Sequence, residues 1–137
     1  MAKTRGDGSF KGQIVVLIDS DSASASEVLA CVMQLEKRGT VLGDSSSGKV
    51  MRSRLHVHQM GVDTVLTYAA SVTDADILMS DGKSLEGVGV VPDEISLPTA
   101  RDLRDHEDPV LSRAASMLGV RLDSVVAGKI FPFKWRP

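Results

Sequence analysis

The stretch from Gln13 to Asp19 (QIVVLID) is an unbroken apolar run between polar ends, rich in β-branched side chains. It lacks the alternation of a half-solvated strand and is shorter than a typical helix. It therefore predicts a strand buried on both faces, of the kind found in the centre of a parallel sheet. Such a strand needs covering layers above and below, which directs the chain towards an α/β layered architecture. The small, polar stretch Ser20 to Ser26 leads into Glu27 to Lys37, where Val28, Leu29, Val32, Met33 and Leu35 fall near helical spacing and Gly39 closes the helix. Thr40 to Gly43 (TVLG) reads as a second strand, and strand, helix, strand implies a right-handed crossover.

Beyond this unit the pattern is extended. From Val50 to Asp76, Arg52, Arg54, His56 and His58 alternate with Met51, Ser53, Leu55 and Val57, and Val65 to Val72 is a further β-rich run, so two antiparallel strands are predicted with Gly61 near their turn. Asp81-Gly82 marks another turn, Val88 to Val91 runs into Pro92, and Pro92-Asp93 opens a new segment. Asp108 as cap, Pro109 at the first helical position, apolar Val110, Leu111, Ala114 and Leu118, and a closing Gly119 predict a last helix. The expected organisation is an arm over residues 1–11, a domain over 12–120 and a tail over 121–137.

Composition narrows the function classes. A chain of 137 residues, 42% hydrophobic and 25% charged, suits one ordinary domain. With 16 basic and 18 acidic residues interspersed, for a net charge of −2, it offers no electropositive surface, and nucleic acid is not expected as a partner. The single Cys31 excludes an internal disulfide or a cysteine-built zinc site and, lying in the helical run, reads as a buried thiol. No stretch is apolar enough to span a bilayer. Met1 to Lys11 is polar where a signal peptide would be apolar, which leaves open a parent with an export signal further upstream.

Two features could carry chemistry. Ser24, in Ser22-Ala23-Ser24-Ala25-Ser26-Glu27, stands where the buried strand turns into the helix, beside the free N–H groups and positive end of the helix dipole, a position that suits a nucleophile. The same Ser24-Ala25-Ser26-Glu27 is also a capping box that would merely start the helix. Lys49, in the loop after the second strand, is either an ordinary solvated charge or, if enclosed so that its pKa falls, the base that a serine needs. Gly43 to Lys49 fits the phosphate-loop pattern G-x-x-x-x-G-K, but Val50 replaces the required hydroxyl residue and the following segment is strand-like. Ser46 to Lys49 fits S-x-x-K without the partner motifs of the lactamases. His56 and His58 share one strand face, which invites a metal, but no third ligand is evident and no cofactor or metal is expected. Phe131, Phe133 and Trp135 alternate near the end, as in a tail packed on its own domain or an oligomer contact.

Taken in order, SASASE after a buried strand, Gly48-Lys49, and Gly87-Val88-Gly89-Val90-Val91-Pro92-Asp93 resemble the tail-specific, or carboxyl-terminal processing, serine proteases over roughly Lys11 to Val120. In that family the middle serine of SASASE is the nucleophile and the lysine of the G-K its base, and Lys49 lies the family's 25 positions after Ser24. The resemblance implies a crotonase-like (ClpP-like) strand-helix-strand core with added antiparallel strands and a C-terminal helix. It also implies a Ser24/Lys49 dyad, Ala25 N–H in the oxyanion hole, protein or peptide substrates cut near their C-termini, and an exported or periplasmic parent. Two departures stand out. Ser53, with Arg52 beside it, occupies the position of a glutamine that often orients the lysine, so Ser53 is the candidate for that role. The Asn-Pro-Gly-Gly-like turn that completes the oxyanion hole has no counterpart before Ser24. The chain is therefore expected to hold the C-terminal part of a catalytic domain, to be weakly active or inactive alone, and to pair with an upstream half or with itself. A non-catalytic binding or scaffolding module that keeps the protease fold is the alternative.

Overall fold

The structure is a computed structural model and describes residues 9–132. The expected unit is present: β1 (Val15–Ile18), α1 (Ala25–Leu35) and β2 (Thr40–Gly43) follow one another, and β1 and β2 pair in parallel from Val15 opposite Thr40 to Ile18 opposite Gly43. An antiparallel hairpin comes next, β3 (Arg52–Met60) and β4 (Leu66–Ala75), with Met60 opposite Leu66 beside the turn that contains Gly61. The chain then returns to the sheet through β5 (Glu94–Ile95) and ends in α2 (Ala100–Asp105), α3 (Pro109–Met117) and α4 (Ser124–Ile130).

The sheet departs from the sequence reading in one respect. Its order is β1-β2-β5, so the apolar run is an edge strand among the described residues and β2 occupies the centre, with Val41 and Leu42 fully buried. Two-residue β5 has no pattern of its own to announce it. It is docked by Asp93, whose N–H donates to the Val41 carbonyl at 2.8 Å while its Oδ2 accepts the Val41 N–H at 2.7 Å. β1 is also less covered than expected, since Leu17 on one face is 42% exposed. Val16 and Ile18 point into a core with Ala30 and Cys31 of α1, Val50, Met79, Leu85 and Val90, while α3 lies against β1 and β2. Burial pushes the Cys31 thiol up from its usual range, in keeping with an inert packing role.

The tail also differs from expectation. Residues 124–130 of the predicted tail are α4, packed against α3 and started by Asp123, whose Oδ1 accepts the Val125 N–H at 2.9 Å. Gly128 disfavours a helix by about 1 kcal/mol relative to alanine. Only glycine fits there, since a Cβ would lie 1.9 Å from the His106 carbonyl oxygen. Both sides of that contact come from different helices, which no local pattern reveals. Phe131 is exposed, and Phe133 and Trp135 lie outside the described residues.

The β3–β4 hairpin is exposed almost throughout, leaving Leu55, Val57, Leu66 and Tyr68 in solvent. His56 and His58 do share a face, where His58 stacks on Tyr68 at 5.4 Å. Among the described residues no group of three metal-binding side chains occurs.

Candidate active site

The turn between β1 and α1 is tied locally by Asp19. Its Oδ1 accepts the Ser22 hydroxyl at 2.8 Å and the Asp21 N–H at 3.1 Å, and its N–H donates back to Ser22 Oγ at 3.1 Å. The chain then reaches Ser24, the residue before α1, with φ 58° and ψ −121°. A non-glycine residue in that region stores about 1–3 kcal/mol of backbone strain, and surroundings must over-determine it to persist. Ser24 is exposed. Its hydroxyl and the Glu27 carboxylate are arranged as a capping box, in which the Ser24 N–H donates to Glu27 Oε2 at 2.9 Å.

Glu27 supplies the over-determination. It is 0% exposed, and its two oxygens collect donors from two separate segments. Oε1 accepts the Ser46 hydroxyl at 2.6 Å and the Gly48 N–H at 2.7 Å, and Oε2 accepts the Lys49 N–H at 3.0 Å besides that of Ser24. Burial alone would raise the pKa of this carboxyl. The Ser46 hydroxyl and the N–H groups of Lys49, Gly48 and Ser24 outweigh that effect and hold it below the ordinary glutamate range. Two backbone bonds complete the junction, Ser24 N–H to the Lys49 carbonyl and Ser47 N–H to the Ser22 carbonyl, both at 2.9 Å. The serine turn and the lysine loop are one clamped object.

The third motif latches this object to the sheet. Ser46 and Val90 exchange bonds, Ser46 N–H to the Val90 carbonyl at 3.0 Å and Val90 N–H to Ser46 Oγ at 2.6 Å. Gly87 N–H donates to the Gly48 carbonyl at 2.8 Å, and Glu86 Oε2 accepts the Val50 N–H at 2.7 Å. Gly89 has φ 75°, and a Cβ there would stand 2.6 Å from the Ser46 carbonyl oxygen, so this approach requires glycine. Asp93 adds a bond from Gln34 Nε2 of α1 to its Oδ1 at 3.0 Å. The three stretches that carry the sequence resemblance therefore meet in space through hydrogen bonds.

Of the sequence-derived candidates, Ser24 and Lys49 are brought together through their backbones. Ala25 lies in the first turn of α1, where N–H groups have no intrahelical acceptor. The Lys49 side chain is not enclosed: it is exposed and makes no hydrogen bond or ion pair among the described residues. Ser53 lies on β3 with its Oγ 3.1 Å from Thr73 Oγ1 across the hairpin. The sequence reading treated Glu27 as a helix cap only. A buried acid is uncommon unless paired, but its second set of donors comes from a loop about twenty residues away in sequence, beyond local pattern.

These segments place an exposed serine on a strained strand-to-helix turn that is clamped to a lysine-bearing loop at the end of an α/β sheet. The model described as Peptidase family S41 matches residues 1–96. A carboxy-terminal-processing protease of Bartonella bacilliformis is 34% identical over 89 residues, which is 64% of this chain and 19% of that protein. A carboxyl-terminal-processing protease of Synechocystis sp. is 29% identical over 90 residues, 66% of this chain and 20% of that protein. Among solved structures, mature CPAF complexed with lactacystin superposes with a TM-score of 0.53 at 26% identity, over 69% of this chain and 17% of that one. The tricorn protease superposes with a TM-score of 0.60 at 17% identity, over 78% of this chain and 10% of that one, a likeness of fold alone. The chain belongs to peptidase family S41, and it spans about a fifth of the length of the curated relatives it matches.

Proposed function

We propose that this chain carries the nucleophile-bearing part of a serine endopeptidase that cleaves protein substrates near their C-termini, on a crotonase-like layered core. The observation that carries this reading is the clamp: a fully buried Glu27 joins the Ser24 turn to the Lys49 loop, an arrangement much more elaborate than starting one helix requires. In the reaction, Lys49 takes the Ser24 hydroxyl proton as Oγ attacks a peptide carbonyl. The Ala25 N–H helps hold the oxyanion, the leaving amine takes up a proton, and water then releases the acyl group from Ser24. Lys49 would gain the enclosure it needs from an upstream half of the domain or a second copy, which would also cover the edge of β1 that is unpaired among the described residues. Ser53 would orient the amine only if the hairpin gave up its contact with Thr73.

The test is covalent capture. A fluorophosphonate probe should label Ser24 in the chain joined to its upstream half, and Ser24→Ala should abolish labelling with the fold intact. A probe that labels no residue, or labels equally after Ser24→Ala, overturns the peptidase reading in favour of the scaffolding one. Sedimentation of the isolated chain should show a dimer or larger species, and a well-behaved monomer with robust Ser24-dependent proteolysis would remove the need for any completing half.

A further inference from the structure

A cavity of about 560 Å³ opens at the amino ends of β1 and β2 and touches neither the Ser24 turn nor the Lys49 loop. This is not the end of a parallel sheet at which α/β domains ordinarily bind ligands, so what it could hold must be read from its walls. One side is apolar, formed by Ile14 and Val15 at the start of β1 and by Met117 and Leu118 at the end of α3. The rim is cationic. Lys11, Lys37 and Arg38 border the cavity, and among the described residues none of them forms an ion pair. Asp93 is the one acid in the wall among the described residues, and both its oxygens are occupied, Oδ2 by the Val41 N–H at 2.7 Å and Oδ1 by Gln34 Nε2 at 3.0 Å. Arg38 is held by neutral partners, its Nη1 donating to the Gly12 carbonyl at 2.9 Å and its Nη2 to the Phe10 carbonyl at 2.7 Å. Its charge is fixed in place and not offset. Lys37 adds an independent observation, since it follows α1 in the left-handed region with φ 49°. Its N–H returns to the Gln34 carbonyl at 3.0 Å and the Arg38 N–H to the Met33 carbonyl at 2.9 Å, a helix ending that glycine makes without strain. Backbone strain kept at a residue whose side chain borders a cavity points to a use for that side chain.

We infer that this cavity binds a small amphiphilic anion, its carboxylate or phosphate head held by Lys11, Lys37 and Arg38 and its apolar body lying against Ile14, Met117 and Leu118. The volume is within the range of small-molecule sites and larger than an inorganic ion fills. Arg38 keeps further N–H groups of its planar fork for the head group, which suits carboxylate and phosphate alike, and the two lysines add point charges on flexible stems. A cationic amphiphile would meet three like charges beside an acid that is already paired. An anion with no apolar body would leave the Met117 and Leu118 wall in water and gain nothing from it. The site lies apart from the serine turn and does not depend on peptidase activity.

Methyl NMR of the full chain tests this, with octanoate, octyl phosphate and octyltrimethylammonium added separately below their micellar concentrations, and with inorganic phosphate. At least one of the two anionic amphiphiles should shift the Met117 and Leu118 methyl signals saturably and bind about tenfold or more tightly than the cationic one. The tighter of the two identifies the head group as carboxylate or phosphate. Lys37→Gly should weaken that anion by about threefold or more while the denaturation midpoint stays unchanged or rises, because glycine adopts the same helix ending without strain. Lys11→Glu, outside the helices, should weaken it in the same direction. The site is overturned if neither anion gives a saturable shift, if the cationic amphiphile binds as tightly, if inorganic phosphate matches octyl phosphate, if the shifts are confined to other methyls, or if both variants bind as wild type.

Discussion

Replacing Glu27 by Gln separates a helix cap from a clamp. If Glu27 did no more than complete a capping box, its loss would cost about 0.5–2 kcal/mol. The structure gives it four donors split between two oxygens, Ser46 and Gly48 on one, Ser24 and Lys49 on the other. A glutamine has the same size but accepts at one atom only, so its NH₂ must face one pair of donors. If it faces Ser24 and Lys49, the Lys49 N–H is orphaned while the Ser24 N–H keeps the Lys49 carbonyl. If it faces Ser46 and Gly48, the hydroxyl can rotate to accept and one N–H is orphaned. At about 1–3 kcal/mol for each buried donor left unpaired, together with the loss of charge-assisted bonds, Glu27→Gln should destabilise by roughly 2–5 kcal/mol. Guanidinium unfolding followed by far-ultraviolet circular dichroism measures this as a lowered midpoint at unchanged slope. A loss of no more than about 1 kcal/mol would refute the clamp and return Glu27 to an ordinary cap.

Three further outcomes follow from the same geometry. Because the folded-state pKa of Glu27 is depressed, its contribution to stability is present above the unfolded glutamate value of about 4.3 and is lost as pH falls through the folded value. Acid titration should therefore show an unfolding limb below about pH 4.3 that is shallower in Glu27→Gln, and parallel limbs would contradict the assignment. Ser24→Gly should relieve the strained φ of 58° and stabilise the chain by about 1 kcal/mol while abolishing probe capture; destabilisation would show that the Ser24 side chain holds the turn. Gly89→Ala should destabilise by about 1–3 kcal/mol, because its Cβ meets the Ser46 carbonyl at 2.6 Å in a positive-φ conformation, and neutral behaviour would mean the latch yields freely.

The strand-helix-strand unit was legible because its signals are local. The apolar run before Asp19, the helical spacing after Glu27 and the strand at Thr40 each depend on residues within one turn or one pleat, and the structure places β1, α1 and β2 within two residues of those readings. The hairpin and the capped start of α3 were readable for the same reason: alternation marks the first, and Asp108, whose Oδ1 accepts the Leu111 N–H at 2.8 Å, marks the second. The order and spacing of three short motifs also identified the family, since similarity in order needs no knowledge of contacts. The sequence by itself thus determined the local elements and the family. Tertiary structure alone decided that β2 and not β1 is central, because a two-residue strand is placed by Asp93 rather than by its own pattern. It likewise decided that Gly128 sits inside a helix, because the His106 carbonyl excludes any side chain there. Glu27 shows the physical reason most plainly: one bond to Ser24 lies within its own helix turn and could be foreseen, whereas those to Ser46, Gly48 and Lys49 exist only once the sheet has brought a distant loop to the same end.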